Sequence, residues 1–211
     1  LIDLEPFYWR RFPPIMVSGI APQGATYKAL KKYFSKGFTF HRYMSGAQCG
    51  ASLDGGVDGY YSRRSANHRK KTRRQMRRAH EAGVEFERHI PRTEAEADAI
   101  YSRMLAVELA SWKGIDECGM TEPISKVFYD AMLKRLVRAG DARIIVAMHD
   151  GRDIGFIFGS MAGKIYRGQQ FSFDDKWAHA SIGNVLQAEQ IRWLCEEGAV
   201  RYDMGPRFGP A

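Results

Sequence analysis

Between Gly140 and Pro206 the hydrophobic period of this 211-residue sequence changes twice, and few folds accept that order. Upstream of Gly140 apolar residues recur at helical spacing. Downstream, Arg143 to His149 (RIIVAMH) reads as a strand that closes on Asp150-Gly151, a pair suited to a two-residue hairpin turn. Ile154 to Ser160 and Lys164 to Phe173 read as the next two strands. The helical period then returns over Ile182 to Glu197, with Ser181 as the expected N-cap and Gly198 as the stop. Val200 to Met204 is predicted as a last strand. Hairpin-linked strands, a helical crossover and one further strand make an α+β fold: a mixed, mostly antiparallel central sheet flanked by helices.

The upstream half supplies the flanking helices. Thr93 with Glu96 forms a capping box, opening a helix to about Ser111 with Ile100, Met104, Leu105 and Leu109 on its apolar side. A second helix spans Ile124 to Ala139 and is closed by Gly140. Val84 to His89 (VEFERH) alternates as a strand. Nearer the start, Thr26 to Phe34 reads as a short helix with Tyr27, Leu30 and Phe34 on one face. Gly37 stops it, and Phe38 to Met44 is predicted as a strand. Pro6, Pro13, Pro14 and Pro22 place residues 1–24 in loop or edge structure. The stretch SGAQCGASLDGGVDG has five glycines between Gly46 and Gly59 and reads as a linker. The expected organisation is a partial N-terminal unit with its Gly-rich linker over 1–59, and the main domain over 60–211.

Charge is concentrated rather than spread. Arg63 to Arg78 (RRSANHRKKTRRQMRR) holds nine Lys or Arg and no acid; without them the net charge of +8 becomes −1. This window lies in a helix predicted from Tyr60 to Ala82, packed through Tyr61, Thr72, Met76 and Ala79 and ended by Gly83. A single basic element on a near-neutral body is the footprint of a localised anionic partner. A solvated helix face is the plainer alternative.

Several chemistries fail on spacing. GSMAGK (Gly159 to Lys164) is one residue short of a phosphate-binding P-loop, and Ile165 stands where Ser or Thr is required. The six histidines form no HExxH, no GxSxG elbow occurs, and no metal is expected. Cys49, Cys118 and Cys195 are odd in number and far apart, which points to a reducing, cytoplasmic setting. No uncharged apolar run reaches the ~18 residues of a membrane helix, so no membrane insertion is expected. The acidic first residues do not look like a signal peptide, and the missing initiator Met suggests a piece of a longer chain.

Two stretches resemble one superfamily when taken together. KTRRQMRRAHEAGV (Lys71 to Val84) is similar to the basic helix and following strand of FemABX-like transferases. SIGNVLQAEQIRWLCEEGAVRYDMGP (Ser181 to Pro206) resembles the last helix and strand of the same GNAT superfamily. Between them, Ser111-Trp112-Lys113-Gly114 and YRGQQFSFDD keep the order of the acetyltransferase group involved in cellulose biosynthesis. The resemblance covers about Tyr60 to Pro206 and implies a GNAT-like sheet and an acyltransferase. It reads 1–59 as the remainder of a first GNAT-like half.

The resemblance also implies sites. The pyrophosphate of an acyl-CoA donor, acetyl-CoA or another, would sit on the helix start at Ser181, Ile182, Gly183 and Asn184, where unpaired N–H groups and the helix dipole favour an anion. Gly183 would let it approach the backbone. Lys71 and Arg73 match the Lys-x-Arg element that faces the acceptor, with Arg69 and Arg77 on the same helix face as Arg73. Asp175 is the first choice for base or amine anchor, with Asp203 and Asp174 also near sheet ends. Trp112 and Trp177 would wall the acceptor pocket, and either Gln169 or Gln170 would turn an amide inward. The expected activity is N-acyl transfer to an anionic small-molecule or peptide-like acceptor. An aminoacyl-tRNA donor, as in FemABX-like enzymes, and a non-enzymatic nucleic-acid-binding module are the alternatives. The oligomeric state is open.

Overall fold

In the computed structural model, residues 15–17, 19–41 and 46–208 are described. The elements run α1 (Ala25–Phe34), β1 (Gly46–Ser52), α2 (Gly56–Ser62), α3 (Ala66–Glu81), β2 (Glu85–His89), α4 (Glu94–Leu109), α5 (Trp112–Ile115), α6 (Pro123–Ala139), β3 (Ala142–His149), β4 (Arg152–Ala162), β5 (Ile165–Phe173), α7 (Ile182–Glu196) and β6 (Arg201–Phe208). Gly140 ends α6 in left-handed backbone at φ 75°, which turns the chain directly into β3. Asp150 and Gly151 both have positive φ, as a hairpin turn of this hand requires.

The strands form one six-stranded sheet in the order β1-β6-β5-β4-β3-β2. Pairing is antiparallel from β2 through β5, and β5 with β6 is parallel. The expected α+β class and mixed, mostly antiparallel sheet are therefore present. Contacts divide the chain into residues 48–205 and a smaller unit of 1–47 with 206–211. In the smaller unit α1 buries no side chain. In the larger one, helices cover both sheet faces. On one, Ile144, Val146, Phe156 and Phe158 pack against Ile100 and Met104 of α4 and Leu133 of α6. On the other, Ile145 and Ile157 pack against Ala79 of α3 and Ile182, Val185, Leu186 and Trp193 of α7. Each such aliphatic or aromatic side chain contributes about 1.5–3 kcal/mol on full burial.

Four expectations are corrected. The stretch read as a linker is β1, a turn and α2. Small residues allow close backbone approach there: a Cβ on Gly50 would lie 3.3 Å from the Tyr202 carbonyl. Leu53 and Tyr60 anchor the segment in the core. Phe38 to His41 is irregular, and the rest of the strand expected there lies outside the described residues. The single basic helix is two, because the Ser65 side chain accepts from the His68 N–H and starts α3 afresh. Leu109 is exposed, and the buried face of α4 takes in Glu108 instead. Leu109 sits one residue past that face, at the last position of the helix.

Candidate functional site

The site begins where the two parallel strands part. β5 pairs with β6 only over Ile165 to Arg167, against Arg201 to Asp203. The last rung carries an ion pair, Arg167 Nη1 to Asp203 Oδ2 at 2.8 Å. Beyond it β5 runs on beside β4 alone. The Asp174 N–H donates to the Ile154 carbonyl at 2.9 Å next to the Gly155–Phe173 pair. That fixes the ladder phase: Phe171, opposite Ile157, turns both its N–H and its C=O away from β4, toward the open side. No acceptor among the described residues takes the Phe171 N–H.

A β-bulge sorts the side chains of this strand. Phe158 pairs with Gln170 and Gly159 with Gly168, so Gln169 is the extra residue and the alternation flips there. Gln170 thus faces α4 and α6, and its Nε2 donates to Tyr129 Oη at 2.9 Å. This decides which of the two glutamines turns inward. Phe171 and Phe173 face α7, where their rings lie 3.1 Å from the position a Gly183 Cβ would take.

The first turn of α7 therefore rests on the free end of β5. Ser181 occupies the expected N-cap position, left-handed at φ 58°, but its side chain makes no capping hydrogen bond. The Asn184 and Val185 N–H groups donate to the Ser181 carbonyl at 3.0 and 3.2 Å. The N–H groups of Ile182 and Gly183 have no acceptor among the described residues. Gly183 is needed for packing against the two rings. Ile182 is buried, while the Asn184 side chain is exposed.

On the opposite face lies a polar cluster. Glu108 of α4 is fully buried, and its Oε1 accepts the Met120 N–H at 3.1 Å while Oε2 has no partner. Lys113 of α5 lies 3.7 Å from Glu108 Oε1. Its Nζ donates to Gln170 Oε1 at 2.8 Å and to the Phe171 carbonyl at 2.9 Å. Burial pushes the Lys113 amine below its ordinary value, with Glu108 and Cys118 opposing the shift. Trp112 is half exposed beside this cluster. The Asp175 N–H donates to the Ala110 carbonyl at 3.0 Å, which ties the Asp175 backbone to the end of α4, and its side chain is exposed. Trp177 instead packs with the α7-side cluster and against the His149 ring, 4.7 Å between centroids.

The basic helix α3 packs along α7. Lys71, His68 and Gln75 of α3 line a small cleft with Asn184 and Gln187 of α7 and Tyr61 of α2. Arg73 is exposed and Arg77 pairs with Glu81 at 3.5 Å. Arg69 is engaged: its Nη1 donates to the Arg64 carbonyl at 2.5 Å and holds the break between α2 and α3. For Asp203, burial pushes the carboxyl up. The Gly205 N–H at 3.0 Å, the Gln48 amide and Arg167 outweigh that and hold it below its ordinary value. No group of three or more His, Cys, Asp or Glu placed to hold a metal occurs among the described residues. No helix among them is long and apolar enough to cross a membrane.

Glu108, Lys113, Tyr129 and the Phe171 peptide are absent from the residues expected on sequence grounds. Glu108 had a signal. It stands four residues after Met104 and eight after Ile100, a lone acid in the buried stripe of α4.

Residues 66–209 match the family model described as an acetyltransferase (GNAT) domain. A comparison with curated proteins finds no match. Among solved structures, FemX superposes with a TM-score of 0.59 at 14% identity, over 87% of this chain and 61% of its own. L-PGS from Bacillus licheniformis gives 0.56 at 17%, over 85% and 50%. A conserved protein of unknown function from Bacteroides thetaiotaomicron gives 0.55 at 11%, over 88% and 59%. The chain thus spans about half to three fifths of the length of these three solved chains.

Proposed function

The chain belongs to the acetyltransferase (GNAT) domain family, and from that premise we propose that it moves an acyl group from acyl-CoA, acetyl-CoA first, to the amine of an anionic acceptor. One observation carries the reading: the parting of β5 from β6 leaves the Phe171 N–H open beside the uncapped first turn of α7. A helix start with two unpartnered N–H groups suits the donor pyrophosphate. The Ile182, Gly183 and Asn184 turn, reached from Ser181, would bind it, and Lys71 beside Asn184 adds a cation. The acyl carbonyl then lies along the free edge of β5, where the Phe171 N–H meets the charge that develops on oxygen. One such donor is worth about 10²–10³ in rate.

The acceptor amine approaches from the side of Trp112, Tyr129 and Gln170. It attacks the acyl carbon and a C–N bond forms. As the tetrahedral intermediate collapses, the C–S bond breaks and coenzyme A leaves as thiol. Asp175, whose backbone is held to the Ala110 carbonyl, would take the ammonium proton or anchor the amine. Asp203 is already ion-paired and suits holding the last rung of the parallel pair. Arg73 and Arg77 of α3, on the α7 face of the sheet, would supply charge for a phosphate or carboxylate at the far end of a long acceptor, with Lys71 between them and the donor.

The test is thiol release from acetyl-CoA against amines bearing carboxylate or phosphate. Arg73→Ala should raise acceptor KM about 10- to 100-fold, the equivalent of one charge-assisted hydrogen bond, with folding intact. An unchanged KM removes α3 from the acceptor site. A second reading, an aminoacyl-tRNA donor, draws on the exposed Lys70, Arg73, Arg74 and Arg78 of α3, more cations than a small ligand uses. It expects RNase-sensitive activity and a steep loss of affinity with salt.

A further inference from the structure

The fully buried carboxylate of Glu108 is the feature that acyl transfer as described leaves unused. Among the described residues it has one close bond, from the Met120 N–H, and one unpartnered oxygen. Burying an ionised group is costly unless an opposite charge is near. The nearest cation is Lys113, at 3.7 Å. Two of the three Lys113 N–H donors are taken at hydrogen-bond distance, by Gln170 and by the Phe171 carbonyl. Glu108 lies beyond that distance, so the third donor remains available. Glycine at 119 is required by this arrangement, because a Cβ there would lie 2.5 Å from Glu108 Oε1.

The Phe171 carbonyl that Lys113 grips and the open Phe171 N–H belong to one residue and point to the same side of the strand. We infer that Lys113 is a catalytic residue, a second donor to the oxyanion, which its ammonium shares with the Phe171 N–H. Glu108 is the positioning residue that keeps the ammonium in place. The inference rests on the acyl-CoA reading above. As the amine attacks, the C–N bond forms and the carbonyl π pair moves to oxygen, where the ammonium and the peptide N–H both donate. Collapse returns the pair and breaks the C–S bond; the sulfur takes a proton from water and leaves as thiol, and the proton on the attacking nitrogen passes to Asp175. Lys113 stays protonated throughout.

The experiment uses a ketone analogue of acetyl-CoA, with methylene in place of sulfur and ¹³C in the carbonyl. Its affinity is measured by calorimetry and its carbonyl stretch by infrared difference spectroscopy. On the parent protein the band should move to lower frequency than in water. In Lys113→Met the shift should shrink with affinity within about threefold, and in Lys113→Arg it should persist. The same band in Lys113→Met as in the parent overturns the inference. If Lys113→Met does not fold, the pH dependence decides. The groups facing the amine are Glu108 on α4, Cys118 in the loop after α5, and Tyr129 on α6 through Gln170. In the parent the band should return toward its free position as Lys113 loses its proton at alkaline pH. In Lys113→Arg it should not. A parent band indifferent to that titration also overturns the inference. Absence of analogue binding to the parent defeats the donor reading itself, a separate outcome.

Discussion

Replacing Gly183 tests the donor site and its packing at once. A Cβ at this position would lie 3.1 Å from Phe171 Cε2, 3.1 Å from Phe173 Cε1 and 3.4 Å from Phe173 Cδ1. Ordinary contact begins near the last of these, so both rings must give by a few tenths of an ångström. Phe171 is 46% exposed and can move outward; Phe173 packs with the core cluster of α7 and cannot move as freely. Gly183→Ala gains about 0.5–1 kcal/mol of helix propensity and costs about 1–3 kcal/mol of overpacking. The net is a loss of about 1 kcal/mol, a fall in Tm of about 2–4 °C for a domain of this size. Gly183→Val adds two methyl groups against the same rings and should cost about 2–3 kcal/mol, or roughly 4–12 °C. The displaced rings belong to the strand that carries the Phe171 N–H. Acetyl-CoA affinity should therefore fall at least tenfold in Gly183→Val. Calorimetric melting and titration read both effects. A Val variant with the parent's Tm and affinity would refute both the contact and the placement of the donor.

Three further outcomes follow from individual polar groups and their neighbours. Tyr166 is fully buried and its hydroxyl has no partner among the described residues, so Tyr166→Phe should leave stability unchanged or raise it by up to ~2 kcal/mol in denaturant titration. A loss above 1 kcal/mol would mean the hydroxyl is bonded in solution. Gly119→Ala should cost about 2–4 kcal/mol, because φ 83° strains an L residue and its Cβ meets Glu108. An unaffected Tm would show that the Glu108 turn is loose. The Arg103 guanidinium, donating to Glu87 at 2.8 Å, holds that carboxyl below its ordinary 4.5. This contribution is complete above pH 4.5 and is lost as pH falls through the lower folded value. Tm should drop less steeply below pH 4.5 in Glu87→Gln than in the parent. Equal slopes would discard the pair as a source of acid sensitivity.

Much of the fold was legible because its elements carry strong local signals. β3 and β4 are runs of Ile, Val and Phe bounded by turn residues, and Gly140 and the Thr93–Glu96 box mark helix ends unambiguously. What was illegible depends on neighbours. Gly46 to Ser52 has linker composition, yet it pairs at the sheet edge because small residues let backbones approach. Ser65 interrupts a basic run that looks continuous by charge. Of the candidate site, the start of α7 was a reading from sequence, but the packing reason for Gly183 was not, since its aromatic neighbours lie ten and twelve residues upstream on another element. The bulge at Gln169 has no sequence mark at all, and without it neither the inward Gln170 nor the open Phe171 can be deduced. Lys113 and Glu108 meet only because the chain turns between α4 and α5.

The most direct measurement is calorimetric titration of RNase-treated protein with acetyl-CoA, run beside Gly183→Val. One saturable site in the parent, weakened at least tenfold in the variant, is the outcome predicted by a donor lying across the first turn of α7 and the free edge of β5. No heat from the parent, with tRNA released by the RNase step, would contradict it and make α3 the docking surface of a nucleic-acid donor.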